Sequence, residues 1–455
     1  MEVSAHLAEC LVAPTLEFVG LAPGVGSLHA MLARAEAALP RSQAAPLLDD
    51  ALEQVVLESL LNNAEKLGAG RLRLQKLGSR GVIRARVDGR EAELALCSVR
   101  LMAAIQAAVL RRAGVVQGAR EVRMAHGELP WPGAASQAQA QAQDDLLREP
   151  RFPFTWFAPS HGGPALRLEL RPRAASLPAL AQLGLEKSDF ERLERVMGQP
   201  DGLVFVAGPA GSGRSTTLHA LLACVDCAAR SVQTIEAGIA RAVPGWLQFD
   251  AAGQASGPAA GMLLDEVLHN APDVLLFDAP CTAQSLDRLR QAASGGCLLL
   301  APAPVGRAHH ALRWLRVSGL GFEDQAQLLS LVLAQRLVRK LCPACARPDD
   351  SPELRAALAR AANTWLGADG LRAMAANPRG CEQCRGSGYR GRLLLCEILE
   401  FDAGVRSMVE GGTLGVELEQ RLLSQGHGLW DHGLRRIARG ETSLQALRSV
   451  LHEPR

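Results

Sequence analysis

The sequence predicts an α/β protein in which a P-loop nucleotide-binding domain follows a smaller α+β domain. From residue 185 onward, short apolar strands alternate with helices, a pattern typical of a sheet covered on both faces. A glycine-rich turn joins the first of these strands to a helix, which is where a phosphate-binding loop lies. The first third of the chain shows a helix, a strand pair and a second helix, and this pattern indicates a small α+β domain.

The composition fits a folded protein of several domains. The chain has 455 residues, of which 48% are hydrophobic and 21% charged, so it can bury sizeable cores. Its net charge of +2 and its 4% of aromatic residues argue against a nucleic-acid-binding protein. No uncharged run reaches the ~18 residues of a membrane-spanning helix, and no signal-peptide pattern is found. We therefore expect a cytoplasmic protein whose contact with a membrane comes only through a partner.

Boundaries between the parts follow shifts in composition. The first residues are rich in Ala, Leu and Pro and are interpreted as an arm with a short helix. The repeat SQAQAQAQ at 136–143 is interpreted as a surface loop or linker. The predicted segments are an N-terminal arm at 1–45, the α+β domain at 46–172, a linker at 173–184 and the nucleotide-binding domain at 185–455, with C-terminal helices at 414–455.

Hydrophobic periodicity predicts individual elements inside both domains. Apolar residues that recur at helical spacing from Leu48 to Leu61 predict the first helix. The remaining predicted helices cover residues 101–110, 188–197 and 215–223. The predicted strands cover residues 71–75, 81–87, 166–170, 203–207, 274–277 and 297–300.

The strongest candidate site is the loop GPAGSGRST, which follows the strand at 203–207. Its glycines let backbone N–H groups converge on phosphate oxygens, and the next helix points its positive end at the same place. Arg214 stands where such loops carry a lysine, and its guanidinium is bulkier than a lysine's compact charge. A glycine-rich turn without a ligand is the alternative. The residues predicted to contact the nucleotide are Gly208, Gly211, Ser212, Gly213, Arg214, Ser215 and Thr216, with Ser215 holding Mg²⁺.

Two acidic residues are candidates for the catalytic chemistry beside this loop. Asp278 ends the apolar strand at 274–277, where a carboxylate supports Mg²⁺ or its water shell. The next residue is Ala279, so the carboxylate that commonly activates water is missing there. Glu236, which follows a short apolar stretch, is the second candidate. The alternatives are a solvated aspartate at a strand end and a surface glutamate.

Two C-x2-C pairs, among the 11 cysteines of the chain, indicate a metal site. Each pair places two thiolates on one tight turn, and two pairs together make a tetrahedral S₄ site for Zn²⁺. All four ligand positions are filled by protein, so the predicted zinc is structural. Unoccupied thiols or a redox pair are the alternatives. The predicted ligands are Cys342, Cys345, Cys381 and Cys384, in a zinc subdomain at about 342–396.

Several segments together resemble one family, the ATPases of type II secretion and type IV pilus assembly. The segment LVFVAGPAGSGRSTTLHAL at 203–221 resembles the family's Walker A segment. The two cysteine pairs, with the motif GYRGR that follows them, resemble the secretion and pilus extension branch in particular. The further similar segments are RARVDG at 84–89, QRLVRKLCPAC at 335–345, CEQCRGSGYRGRLLLCEIL at 381–399 and GLWDHGLRRIARGETSLQAL at 428–447.

The resemblance implies a P-loop, RecA-like ATPase domain that works in a hexameric ring, with ATP, Mg²⁺ and Zn²⁺ as ligands. It implies inner-membrane platform proteins and cytoplasmic assembly proteins as partners. Copies of this chain or paralogous ATPase subunits would be its ring neighbours, and no nucleic acid is expected. The candidate arginine fingers of the first domain are Arg120, Arg123 and Arg167.

The chain departs from the family's pattern in all four sequence boxes that serve the nucleotide. Arg214 replaces the Walker lysine. Ala237 and Gly238 replace the Asp-Pro of the Asp box, so that Glu236 is the one acid that remains in this box. Ala279 replaces the glutamate that ends Walker B. Residues 302–305 read Pro-Ala-Pro-Val, without the imidazole of the His box.

Two functions are therefore open from the sequence. The first is an ATP-binding subunit that energises or regulates the assembly of pilin-like subunits. The second is a catalytically inactive paralogue with a structural or regulatory role in a mixed ring. A zinc-ribbon nucleic-acid module is a third hypothesis, which the charge and the scarce aromatics disfavour. Each lost stabilising charge or water-orienting acid typically costs several kcal/mol of barrier, so we expect weak or absent hydrolysis.

Overall fold

Two large sheets, one of six strands and one of seven, organise the chain. The computed structural model describes residues 25–39, 48–115, 124–130, 151–158, 163–170, 178–239, 242–251, 258–365, 372–412, 416–424 and 428–453. None of the helices in these ranges is both long enough and apolar enough to cross a membrane. The repeat at 136–143 and two candidate arginine fingers, Arg120 and Arg123, lie outside the described residues.

The six-stranded sheet is antiparallel and has the strand order β3-β2-β1-β6-β5-β4. In β1, Leu72 and Leu74 alternate with partly exposed residues and face the core. The turn after β2 has Asp88 at φ 48° and Gly89 at φ 84°, as two-residue hairpins with Asp-Gly require. The strands are β1 (Ala69–Leu77), β2 (Arg80–Val87), β3 (Arg90–Ser98), β4 (Met124–Pro130), β5 (Arg151–Phe157) and β6 (Ala165–Glu169).

Three helices accompany this sheet: α1 (Val25–Ala38), α2 (Asp50–Lys66) and α3 (Val99–Arg112). Leu28 and Leu32 of α1 lie four residues apart on one face and are buried in the same core as the sheet. The described part of the segment interpreted as an arm, residues 25–39, therefore belongs to this core rather than standing apart from it. The sequence had shown helical character there without showing what covers its apolar face.

The seven-stranded sheet has the order β15-β12-β7-β11-β10-β8-β9, and its pairs are parallel except for β12 with β15. β11 lies between β7, which leads into the glycine-rich loop, and β10, which ends in Asp278. Because the carboxyl ends of parallel strands meet at one edge, the loop and the acid share that edge. The first strands are β7 (Gly202–Ala207), β8 (Val232–Glu236), β9 (Trp246–Asp250), β10 (Val274–Asp278) and β11 (Leu298–Ala303).

Helices cover both faces of this sheet, which confirms the predicted α/β class. All six residues of β7 are buried, as expected for a strand with a core on each side. One core contains Phe205 and Phe277, and the other contains Val204 and Leu276. The helices are α4 (Lys187–Met197), α5 (Arg214–Leu222), α6 (Pro258–His269), α7 (Ala283–Ser294), α8 (Ala308–Val317) and α9 (Phe322–Leu328).

The last third of the chain is built on two long strands, β12 (Leu329–Leu341) and β15 (Tyr389–Glu400). The cysteine segment lies between them, with β13 (Arg347–Pro348), α10 (Pro352–Trp365) and β14 (Met374–Ala375). Apolar residues of the long strands pack with α10 and the last two helices, α13 (Leu429–Ala438) and α14 (Leu444–Arg448), in a fourth core. The helices α11 (Ala403–Glu410) and α12 (Val416–Ser424) instead contribute to the core that contains Phe205 and Phe277.

The segment that enters the second sheet is fixed by Arg435 and Arg436 of α13 and by Arg439, which follows this helix. Arg436 donates a hydrogen bond to the carbonyl oxygen of Gly184. Arg435 Nε and Arg439 Nη2 donate to Glu186 Oε1 at 3.1 and 3.2 Å. These contacts hold the last residue of the predicted linker, Gly184, and the start of the next domain against α13.

Candidate nucleotide and metal sites

The glycine-rich loop has the backbone geometry that its sequence predicts. Gly211 and Gly213 have φ of 79° and 88°, values that side chains rarely tolerate, and Gly213 caps the start of α5. A Cβ atom at Gly208 would lie 2.3 Å from Ser212 Oγ, so the loop also needs a glycine for close packing. Ser215 and Thr216 are exposed in the first turn of α5. The loop therefore presents helix N–H groups and two hydroxyls to one side, as phosphate binding requires.

Gln335 on β12 holds this loop in place through a hydrogen bond. Its Nε2 donates to the carbonyl oxygen of Ser212 at 2.7 Å, and the side chain is fully buried. β12 lies directly beside β7, so the amide reaches the loop that follows β7. Sequence reasoning missed this residue, because no spacing along the chain connects it to a loop 123 positions earlier.

The side chain of Arg214 is engaged by the neighbouring strand. Its Nη1 donates to the carbonyl oxygen of Ala303 at 3.1 Å. Ala303 is the last residue of β11 and lies in the segment that carries no imidazole, residues 302–305. The guanidinium of Arg214 is thus hydrogen-bonded within the chain, whereas a lysine at this position would extend toward phosphates.

The two candidate acids lie side by side but differ in burial and in hydrogen bonding. Glu236 and Asp278 are register partners on the parallel strands β8 and β10. Glu236 is buried and accepts bonds from Thr234 Oγ1 at 2.7 Å, Gln248 Nε2 at 2.9 Å and His219 Nε2 at 2.9 Å. Asp278 is half-buried, and no hydrogen bond to its carboxylate is formed within the described ranges. The more available carboxylate is therefore that of Asp278.

Ala279 follows Asp278 and is buried, with 3% of its surface exposed. A methyl group at this position packs into the core beside Phe277. The structure thus places an apolar contact where the family's pattern has a glutamate. The residue that follows Glu236 is Ala237, whose backbone N–H donates to the carbonyl oxygen of Asp278 at 3.4 Å.

A model of one protein family matches most of the chain. Residues 47–449 match the family described as "Type II/IV secretion system protein". The chain belongs to this family. The type II secretion system protein E of Pseudomonas aeruginosa is 29% identical over 412 residues, which cover 89% of this chain and 76% of that protein. The type IV pilus assembly ATPase PilB of Thermus thermophilus is 27% identical over 403 residues, which cover 88% of this chain and 43% of PilB.

Solved structures related to this secretion-family chain share its fold. The pilus retraction motor PilT with bound ADP has a TM-score of 0.55 and 17% identity, covering 88% of this chain and 97% of that one. The Legionella pneumophila ATPase DotB has a TM-score of 0.58 and 17% identity, covering 87% and 95%. At this level of identity the likeness concerns the fold alone. The resemblance inferred from the sequence is confirmed at the level of the family.

The four cysteines of this family member form two knuckles that converge. Cys342 Sγ lies 3.7 Å from Cys381 Sγ, Cys345 Sγ lies 3.7 Å from Cys384 Sγ, and the sulfurs of Cys381 and Cys384 lie 3.8 Å apart. All four sulfurs are within 4.8 Å of one another. The centre of a tetrahedron with such edges is about 2.3 Å from each corner, which is the Zn–S bond length. The donor set therefore fits zinc in both chemistry and geometry.

The backbone around the knuckles supports a thiolate at Cys384. Burial opposes ionisation, but the backbone N–H groups of Cys381 and Gly388 donate to Cys384 Sγ at 3.1 and 3.2 Å. Together with the neighbouring cysteines, they lower the pKa of Cys384 to about 7. Hydrogen bonds of this kind orient a ligand atom toward a metal.

The cysteine segment also contacts the six-stranded part of the chain. Arg385, next to the last cysteine, donates from Nη2 to the carbonyl oxygen of Lys66 at 3.3 Å. Lys66 ends α2, where helix carbonyl groups lack partners and favour a cation. Gly391 N donates to Asp88 Oδ2, in the hairpin turn, at 3.0 Å. The metal-binding segment is thus joined to both an N-terminal helix and an N-terminal hairpin.

A second cluster of metal-binding residue types has a different character. Asp189, Cys396 and His432 are buried with their ligand atoms within 4.8 Å of one another. The Cys396 backbone N–H donates to His432 Nδ1 at 3.0 Å, and its thiol donates to Asp189 Oδ2 at 3.7 Å. Burial, followed by nearby arginine charge, lowers the pKa of His432 to about 4. Because the Nδ1 lone pair is already used, the cluster links α4, β15 and α13 by hydrogen bonds.

Arg167 is the one candidate arginine finger that the structure describes. Its Nε donates to Glu169 Oε1 at 2.8 Å on the same strand, β6. Arg71 Nε on β1 donates to the same oxygen at 3.2 Å. The three charges form a partly exposed group on the six-stranded sheet, and Arg167 stays a candidate.

Proposed function

We propose that this chain is a nucleotide-binding subunit of a type II secretion or type IV pilus assembly machine that binds ATP with Mg²⁺ and hydrolyses it slowly. The family match and the functions that its relatives' names state support the class of machine. The observation that carries the slow turnover is the state of Glu236, whose carboxylate already accepts three hydrogen bonds inside the chain.

Binding would rest on the loop and on the first turn of α5. The N–H groups there would bind phosphate oxygens, and the exposed Ser215 hydroxyl with Asp278 would hold Mg²⁺. When bound, Mg²⁺ neutralises charge on the phosphate oxygens. Arg214 would have to exchange its bond to Ala303 for a phosphate oxygen, and its broad guanidinium fits that place less well than a lysine.

Slow hydrolysis would follow from what surrounds the phosphates. Ala279 supplies no carboxylate to orient water, Glu236 is held by His219, and residues 302–305 offer no imidazole. Each missing contribution is worth several kcal/mol in related chemistry, though the losses do not add. Complete loss of hydrolysis, with a structural or regulatory role in a mixed ring, is the second candidate, and the buried methyl group of Ala279 favours it.

We further propose that the four-cysteine cluster holds one structural zinc. The sulfur–sulfur distances of 3.7 to 3.8 Å support this assignment. In the assembled machine, the chain would form a ring with copies of itself or with paralogous ATPase subunits. It would work at the inner membrane through platform and cytoplasmic assembly proteins, without nucleic acid.

The test is ATP binding and phosphate release by the purified full chain. We expect measurable affinity for ATP with Mg²⁺ and a turnover well below ~1 s⁻¹, the lower end of the usual range for enzymes. Arg214→Lys with Ala279→Glu should raise the rate, whereas Arg313→Lys, at an exposed arginine of α8, should not. A parent chain that turns over at ~1 s⁻¹ or faster would refute slow hydrolysis. Absence of ATP binding would refute the nucleotide-binding proposal itself.

A further inference from the structure

Arg336 lies beside the phosphate-binding loop. It follows Gln335 on β12, whose side chain donates a hydrogen bond to the carbonyl oxygen of Ser212 in the loop. A Cβ atom at Gly208, the first residue of the loop, would lie 3.0 Å from the carbonyl oxygen of Gln335. Arg336 Nη1 donates to this same oxygen at 2.9 Å. One carbonyl group therefore separates the guanidinium from the backbone of the loop.

The other end of this guanidinium reaches the segment that follows β11. A Cβ atom at Gly306 would lie 2.7 Å from Arg336 Nη2, well inside the ~3.5 Å of ordinary contact, so the glycine leaves the space that the guanidinium occupies. In the sheet, β7 lies between β12 and β11. The side chain of Arg336 thus reaches past the carboxyl end of β7, where the loop begins.

Arg214 and Arg336 bring two positive charges to one short segment. Arg214 Nη1 donates to the carbonyl oxygen of Ala303 at 3.1 Å, and Arg336 Nη2 approaches Gly306 three residues later. Within the described ranges, both guanidinium groups bond to backbone carbonyl oxygens, and neither forms an ion pair with a carboxylate. The two charges therefore lie together beside the loop without an anion in contact.

The carboxylates beyond this segment are engaged by a different arginine. Arg307 pairs with Glu397 Oε2 at 3.0 Å and with Glu419 Oε1 at 3.2 Å. Burial lowers the pKa of the half-buried Arg336, and although Glu397 raises it, Arg307 lowers it further, so that the net shift is downward. The surroundings thus disfavour the charged guanidinium, and an anionic ligand in contact with it would stabilise that form.

We propose that Arg336 binds the terminal phosphate of ATP and thereby lets the site distinguish ATP from ADP. Asp278 marks the side of the loop on which the last phosphates lie, because an acid at this strand end supports the metal ion that those phosphates bind. β11 lies beside the strand of Asp278, and Arg336 reaches the segment that follows β11. A guanidinium can form two parallel hydrogen bonds to phosphate oxygens.

The inference rests on the proposed function, because it assigns one phosphate contact within the site proposed to bind ATP. Residues 302–305 offer no imidazole to a bound nucleotide. Arg336 supplies a positive charge at the end of this same segment, from a strand on the other side of the loop. The preference for ATP would then come from β12 rather than from the segment itself.

The test compares the affinities of fluorescent analogues of ATP and ADP, both with Mg²⁺, for the purified full chain. Arg336→Gln should weaken binding of the ATP analogue roughly ten- to hundredfold, the loss expected for hydrogen bonds to a charged group. Binding of the ADP analogue should be nearly unchanged. Arg336→Lys keeps the charge without the paired donors, so its loss should be smaller. Arg313→Gln, at an exposed arginine of α8, is the control and should bind both analogues like the parent.

Gly306→Ala tests the position of the guanidinium without removing it. The added methyl group would displace the flexible end of Arg336 rather than backbone, so the variant is expected to fold. The preference for the ATP analogue over the ADP analogue should fall several-fold. The same substitution should have no further effect in Arg336→Gln, because the displaced group is then absent. An equal effect in both backgrounds would contradict the proposed contact.

The outcomes separate this inference from the proposed function. An unchanged ratio of the two affinities in Arg336→Gln would overturn the inference. Equal losses for both analogues would also overturn it, because the arginine would then support the loop through the carbonyl of Gln335. In both cases, binding of the ATP analogue by the parent would leave the proposed function intact. A parent that binds neither analogue would refute the proposed function and the inference with it.

Discussion

Replacing one cysteine of the four-cysteine cluster should abolish stable zinc binding. In Cys381→Ser, a hydroxyl that stays protonated replaces a thiolate, and three sulfurs remain around the centre. Structural zinc binds small domains with roughly 10–16 kcal/mol. If four thiolates share this equally, one ligand accounts for roughly 2.5–4 kcal/mol, or roughly 70- to 900-fold in affinity. The sulfur distances of 3.7 to 3.8 Å predict bonds of about 2.3 Å in the parent protein.

The assay is metal content by mass spectrometry after dialysis against a chelator, with X-ray absorption to measure the bond lengths. The parent should retain one zinc per chain with four sulfur ligands, and Cys381→Ser should lose it. Cys227→Ser is the matched control, because this cysteine is exposed and lies outside the cluster. A parent without zinc, or a variant that retains it fully, would refute the reasoning.

Hydrogen exchange would show which backbone segments become less protected when zinc is lost. Arg385 and Gly391 flank the second knuckle and contact Lys66 and Asp88. We expect faster exchange in the cysteine segment and at these contacts in Cys381→Ser, with little change in the loop at 208–213. Faster exchange confined to that loop would contradict a purely structural role of the metal.

Three further changes test other parts of the structure, each by urea unfolding. Gln335→Leu leaves the Ser212 carbonyl without its donor, so stability should fall by about 1–3 kcal/mol and ATP affinity should fall with it; unchanged affinity would argue against a role in holding the loop. Leu28→Ala should cost about 2–5 kcal/mol, because the residue is fully buried; a loss under ~0.5 kcal/mol would mean that α1 is not part of the core. Glu53→Gln should destabilise by about 1–3 kcal/mol, since Arg111 and Arg112 both donate to this buried carboxylate; a neutral effect would show that the two arginines find other partners.

The sequence was informative wherever a local pattern has one structural solution. Gly211 and Gly213 predicted a loop that needs positive φ, and both have it. The apolar run before Asp278 predicted a buried strand that ends in an acid, which β10 is. The two cysteine pairs predicted converging thiols: the spacing closes the turn within each pair, and the pairing of β12 with β15 brings the two turns together.

The sequence was uninformative about contacts between distant segments. The bond from Gln335 to Ser212 depends on β12 lying beside β7, which is a property of strand order. The core position of α1 depends on a partner surface that the helix's own periodicity does not identify. The position of His219, one helical turn after Ser215, was only a weak indication that its side chain lies near the loop. Its pairing with Glu236 needed β8 to lie next to α5.

The chemistry of the site depends on where its charges are bonded as much as on which residues it lacks. Arg214 is bonded to the carbonyl of Ala303, and Glu236 is bonded to His219. Ala279→Glu alone would add a carboxylate while leaving both of these bonds in place. We therefore expect Ala279→Glu alone to raise the rate of phosphate release less than the double variant with Arg214→Lys does. The increase in the double variant should exceed the increase that the two single variants predict together. Equal rates for the single and double variants would show that the position of the loop cation does not limit the reaction, and the water-orienting acid alone would then account for slow turnover.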